Sequence, residues 1–105
     1  MIKNDNILIV EDDCGMRETL SDILSEEGYG ITGIGTIARA KKELKNKFYN
    51  VAVVDMKLPD GMGLELLDEI KKVSEDTAVI ICTGFASIDN AVSALNKGAF
   101  SYIRK

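Results

Sequence analysis

Three apolar runs, each uninterrupted by a polar position, punctuate the chain: Ile7-Leu8-Ile9-Val10, Val51-Ala52-Val53-Val54 and Val79-Ile80-Ile81-Cys82. A half-exposed strand alternates apolar with polar residues, so these unalternated runs predict strands buried on both faces, as in a parallel sheet. Helical periodicity fills the segments between them. Met16, Leu20, Ile23 and Leu24 share one face, with Arg17, Glu18, Asp22 and Glu26 on the other. That helix is predicted to end near Glu27-Gly28, where glycine can take a left-handed cap. Residues 29–35 read as a weaker strand with three glycines, more an edge than a centre. Thr36 is a suitable N-cap for a second helix carrying Ile37, Ala40 and Leu44. Leu58-Pro59-Asp60-Gly61 has the chemistry of a turn. A third helix presents Leu64, Leu67, Ile70 and Val73, and a fourth presents Ile88, Ala91, Val92 and Leu95 and closes near Lys97-Gly98. These stripes are expected to be core. Residues 101–104 form a short fifth strand.

Strand alternating with helix predicts a doubly wound α/β fold with right-handed crossovers. Strands 1, 3 and 4 are uniformly apolar and therefore central, while strands 2 and 5 are polar enough for edges. The predicted order is a five-stranded parallel sheet, 2-1-3-4-5, whose direction reverses between strands 1 and 3. Ligands of such sheets bind outside the carboxyl ends at that reversal. The apolar runs end there in Glu11-Asp12-Asp13, in Asp55 and in Thr83. Asp13 reads best as a cap of the first helix; Glu11, Asp12 and Asp55 read as lining the crevice.

Carboxylates held that close repel one another unless a proton or a hard cation relieves them. Carboxylate oxygens plus water suit Mg²⁺, which commonly binds beside a phosphate. The chain has no His. A carboxylate nucleophile, a hydroxyl, a Lys and a metal together suit phosphoryl transfer.

At 105 residues the chain is sized for one domain, with 46% hydrophobic and 29% charged residues. A net charge of −4 and scattered basic residues argue against nucleic-acid binding. No apolar stretch approaches the ~20 residues that span a bilayer, and no signal peptide precedes the first strand. Cys14 and Cys82 lack metal-ligand spacing and fit a reducing, cytoplasmic setting.

Four stretches, in order, resemble the receiver domains of two-component response regulators. They are Ile7-Leu8-Ile9-Val10-Glu11-Asp12-Asp13, the run from Val53 through Asp55 to Gly61, Ile80-Ile81-Cys82-Thr83-Gly84, and residues 98–105. The loop Leu58-Pro59-Asp60-Gly61 and the stretch from Thr83 to Val92 most resemble receivers of nitrogen-regulator-type transcriptional activators. The resemblance implies that Asp55 is the phosphoacceptor. It implies Mg²⁺ held by Asp12, by Glu11 through water, by Asp55 and by the backbone carbonyl of Lys57. Thr83 and Lys105 would contact phosphoryl oxygens, and Thr83 and Tyr102 would move on activation to reshape the helix 4–strand 5 face. Implied partners are a sensor histidine kinase or phosphotransfer protein and a second copy through that face.

Rival readings fit less well. A flavodoxin-like carrier needs a phosphate loop after strand 1, where this chain places three acids. An aspartyl phosphatase would carry a second Asp where Lys57 stands. A degenerate, phosphorylation-independent binding module is countered by the full set of Glu11, Asp12, Asp55, Thr83 and Lys105. Receivers usually continue into a fifth helix, so residues 1–105 are expected to be a fragment of a longer regulator. Without that helix an apolar patch beside helix 1 should be exposed, and Lys105, as last residue, should fray. Phe85 is expected to shield the phosphorylated site from water.

Overall fold

The structure, a computed structural model, describes residues 5–84 and 87–105. Phe85 lies outside the described residues. The elements are β1 (Asn6–Val10), α1 (Cys14–Glu26), β2 (Gly30–Ile34), α2 (Ile37–Asn46), β3 (Val51–Val54), β4 (Lys57–Leu58), β5 (Gly61–Met62), α3 (Gly63–Val73), β6 (Ala78–Thr83), α4 (Ile88–Asn96) and β7 (Ser101–Arg104). Five strands pair in parallel in the order β2-β1-β3-β6-β7. This is the expected 2-1-3-4-5 order. The predicted turn at residues 58–61 is the tip of a small antiparallel hairpin, in which Leu58 pairs with Gly61 and Lys57 with Met62.

The helix starts follow their capping chemistry. Asp13 Oδ1 accepts from the Met16 N–H at 3.1 Å, Thr36 Oγ1 from Arg39 at 3.2 Å, and Ser87 Oγ from Asn90 at 3.1 Å. Each satisfies a backbone donor that the first helical turn leaves without a partner. Gly28 follows α1 with φ of 98°, the left-handed conformation predicted there, and Gly98 follows α4 with φ of 100°, where the sequence predicted only the helix end.

The core lies on one side of the sheet. Leu8, Val10, Ala52, Val54, Val79 and Ile81 cluster with Ile37 and Ala40 of α2, Leu66, Leu67 and Ile70 of α3, and Ala94 of α4. Removing each large side chain from water contributes about 1.5–3 kcal/mol. Tyr49, just before β3, is also fully buried, and its hydroxyl donates to Glu43 Oε1 at 2.7 Å.

The opposite side is thinly covered. α1 packs on β1 and β2 but has no fully buried residue. The expectation that all three apolar runs are buried on both faces holds, among the described residues, for β1 alone, because α1 covers little beyond β1 and β2. In β3 and β6 burial alternates, leaving Val51, Val53, Ile80 and Cys82 half-buried, and Ile103 of β7 is exposed. The expected apolar patch is present. The expectation that all four helical stripes are core is corrected at three helices. In α3, Leu67 and Ile70 are buried but Val73, in the last turn, is exposed. In α1, Met16, Leu20 and Leu24 are half-buried and Ile23 is exposed. In α4, Ile88 is 83% exposed, Val92 and Leu95 are exposed, and the buried position is Ala94. The small Ala94 is what allows α4 to sit against the sheet. The larger residues of α4 face outward, and Phe100, after the helix, is 76% exposed.

Candidate functional site

Backbone pairing delivers the acids to one place. The Glu11 N–H donates to Ile34 O at 2.9 Å and the Asp55 N–H to Val10 O at 3.0 Å, so β1 and β3 remain in register to their last residues. The next residues in the chain leave the ladder at the switch point between β1 and β3. Glu11, Asp12 and Asp55 each turn a carboxylate oxygen inward, and these oxygens lie within 4.8 Å of one another. Glu11 and Asp55 side chains are only 4% and 10% exposed, whereas Asp12 is open to solvent.

Lys105 closes the cluster from β7. Its Nζ lies 3.0 Å from Asp55 Oδ2 and contacts Glu11 Oε1 as well, with the side chain 22% exposed. Its own N–H donates to Thr83 O at 3.0 Å, which extends the β6–β7 pairing to the residue expected to fray. Thr83 is fully buried at the end of β6. The Lys57 N–H points at Asp55 Oδ1, 3.4 Å away.

The charges are unevenly shared. Burial, and then the hydrogen-bonded Asp55 carboxyl, push Glu11 above its ordinary pKa of 4.5, and Lys105 offsets only part of this. Burial acts on Asp55 in the same sense, but hydrogen bonds from Glu11 and Lys105, with the Lys105 charge, outweigh it and hold Asp55 below 3.8. Burial pulls Lys105 down, and its two acidic partners more than reverse that, leaving it above 10.5. Asp55 is thus the carboxylate that stays ionised, and Glu11 the one that keeps a proton longest. Burial raises the Cys82 thiol above 9.0, which leaves little of the reactive thiolate.

This donor set fits a hard divalent cation. Three carboxylates converge, and Glu11 Oε2 is buried with no hydrogen-bond partner among the described residues. An oxygen-only set of this kind suits Mg²⁺ or Ca²⁺ rather than a soft metal.

Tyr102 sits on β7 against the core, its hydroxyl buried without a hydrogen-bond partner among the described residues. Two contributors escaped sequence reasoning. Asp60, read as a turn residue, accepts from the N–H groups of Ile37 at 2.9 Å and Ala38 at 3.0 Å, tying the hairpin after Asp55 to the start of α2. Arg17, read as solvent-facing, donates from Nη1 to Glu11 O at 2.6 Å. Nothing in local spacing marks Asp60, whose partners are more than 20 residues away, or Arg17, whose acceptor is a backbone carbonyl on the preceding strand end.

Residues 7–105 match the response regulator receiver domain family. The chain belongs to that family. A receiver domain protein from Methanospirillum hungatei JF-1 superposes with a TM-score of 0.94 at 39% identity, over 98% of this chain and 82% of that one. The beryllofluoride-activated NtrC4 receiver domain dimer gives 0.91 at 41% identity, over 95% and 83%. A Burkholderia pseudomallei response regulator, solved with a phosphorylated aspartic acid, calcium ion and citrate, gives 0.93 at 28% identity, over 97% and 60%. Among curated relatives, PmrA of Pectobacterium parmentieri is 37% identical over 94% of this chain, and the acid tolerance regulatory protein ActR of Rhizobium meliloti 31% over 95%. The receiver spans 45% of PmrA and 52% of ActR, about half the length of each. Receivers are signalling domains of two-component systems, and the acidic cluster is this receiver's candidate divalent-metal site. No helix among the described residues is long and apolar enough to cross a membrane.

Proposed function

We propose that this receiver accepts a phosphoryl group on Asp55 from a sensor histidine kinase or phosphotransfer protein and, within a longer cytoplasmic regulator, uses the change to control an output. The carrying observation is that Asp55 is buried yet held ionised, with Lys105 Nζ 3.0 Å from Oδ2. An ionised oxygen of Asp55 attacks phosphorus, a new O–P bond forms, and the P–N bond to the donor imidazole breaks. The imidazole nitrogen takes up a proton as it leaves. Glu11, Asp12, Asp55 and the Lys57 carbonyl would hold Mg²⁺, which supplies positive charge to the phosphoryl oxygens when bound. Lys105 pairs with a second oxygen and Thr83 donates its hydroxyl to a third.

Phosphorylation replaces one carboxylate charge by about −1.5 to −2. Lys105 and Thr83 are drawn to the new oxygens, and Tyr102, whose hydroxyl is without a partner among the described residues, shares β7 with the segment that moves. The α4–β7 face, already apolar through Ile88, Val92 and Leu95, is then reshaped for a second copy or an output partner. The solved NtrC4 receiver dimer supports such a role.

Borohydride reduction tests the site directly. It converts an acyl phosphate of Asp into homoserine, so after treatment with acetyl phosphate, peptide mass spectrometry should find homoserine at position 55. Homoserine elsewhere, or nowhere, overturns the assignment.

A further inference from the structure

Gly33 in β2 and Gly35 just after it serve a purpose that an edge strand does not require. A Cβ at Gly33 would lie 3.0 Å from Cγ and 3.2 Å from Cδ of Arg17, and one at Gly35 would lie 3.2 Å from Arg17 Nη1. Together they leave a slot along which the Arg17 side chain runs from α1 to the end of β1. Its guanidinium donates to Glu11 O at 2.6 Å, with Nη2 3.7 Å from Cys14 Sγ. The other side of the same residue is also fixed, since the Glu11 N–H donates to Ile34 O at 2.9 Å. The residue that begins the acid pair is therefore gripped at both backbone groups, at the point where the chain leaves the sheet.

We infer that Arg17 is a positioning residue for the divalent-cation site, holding the Glu11–Asp12 backbone so that both carboxylates face Asp55, with Gly33 and Gly35 kept small to admit it. The inference rests on the metal-site reading proposed above. Groups that orient metal ligands typically alter affinity by 10–100-fold when removed. A charged donor on a part-buried carbonyl is also among the stronger hydrogen bonds. The alternative role for Arg17, a nearby positive charge, has the opposite sign. Deleting a cation beside an acidic metal site should tighten binding, whereas deleting a backbone clamp should loosen it.

The test is calorimetric titration of the protein with Mg²⁺ alone, without phosphodonor, on wild type, Arg17→Met, Arg17→Lys and Gly33→Ala. Melting temperatures are recorded without metal. Arg17→Met should weaken Mg²⁺ binding roughly tenfold, and Arg17→Lys, which keeps a donor, should recover most of the loss. Gly33→Ala, which displaces the Arg17 stem at constant charge, should weaken binding several-fold. Unchanged or tighter binding in Arg17→Met with unchanged binding in Gly33→Ala overturns the inference while leaving the metal site intact. A lowered melting temperature with wild-type affinity makes Arg17 merely structural and also overturns it. If Arg17→Met does not fold, Gly33→Ala against Arg17→Lys decides. Wild type that takes up no Mg²⁺ instead removes the underlying metal-site reading.

Discussion

Lys105 Nζ stands 3.0 Å from Asp55 Oδ2 and touches Glu11 Oε1, one cation shared by two carboxylates on different strands. Removing it leaves two largely buried acids facing each other. Lys105→Ala should lower stability at neutral pH by about 1–2 kcal/mol, below the cost of breaking a fully buried pair because the ammonium is partly exposed. Urea denaturation checks this, and wild-type stability in the variant would mean the pair contributes nothing.

Glu11 and Asp55 respond to pH in opposite senses. Asp55, with its pKa held below 3.8, contributes stability that is present above that value and lost as pH falls through the folded pKa. Glu11, raised above 4.5, contributes stability that is full below 4.5 and lost as pH rises through its folded value. Glu11→Gln should therefore melt higher than wild type at pH 7 and converge with it as the pH approaches 4.5. A melting temperature at pH 7 equal to or below wild type would contradict the raised pKa.

Asp60 spends both carboxylate oxygens on the first N–H groups of α2, which holds its pKa below 3.8. Its contribution is present above pH 3.8 and disappears as pH falls through the lowered folded value. Asp60→Ala should lower the melting temperature at pH 7, and Asp60→Asn, with one acceptor oxygen instead of two, should lower it less. Both differences should shrink as the pH falls through the lowered folded value.

Gly63 lies so close under the loop that follows Asp55 that a Cβ there would collide with Asp55 O and come within 3.0 Å of Met56 Cα. Those are backbone atoms and cannot rotate aside. Gly63→Ala should cost about 2–3 kcal/mol by overpacking, read from urea unfolding, and should displace Asp55. A variant as stable as wild type would show that the loop relaxes freely.

Much of this architecture was legible in the sequence for specific reasons. Unalternated runs such as Ile7-Leu8-Ile9-Val10 marked the central strands, and their terminal acids marked the sheet edge where Glu11 and Asp55 converge. Caps at Asp13 and Thr36 act on residues only three positions away, a span that pattern reading covers. Asp60 and Arg17 act through the tertiary fold, where spacing carries no signal. The outward turn of Ile88 and Val92 was hidden because helical periodicity identifies a stripe without saying whether anything covers it. The glycines of residues 29–35 signalled an edge strand, but what Gly33 and Gly35 make room for depends on a helix packed across them.

The exposed stripe of α4 leads to a further expectation. Ile88, Val92 and Leu95, spaced to share one helix face, form an apolar surface of the kind that marks association. Sedimentation should detect concentration-dependent self-association that Val92→Glu reduces and phosphorylation strengthens. Monomers at every concentration, phosphorylated or not, would assign this surface to a different partner.

The most direct test of the central claim is intact mass after incubation with acetyl phosphate, with and without Mg²⁺, on wild type and Asp55→Ala. The expected result is a gain of one labile phosphoryl group that requires Mg²⁺ and is absent from Asp55→Ala. A folded wild-type protein that gains nothing, or a mutant that gains as much, would contradict it.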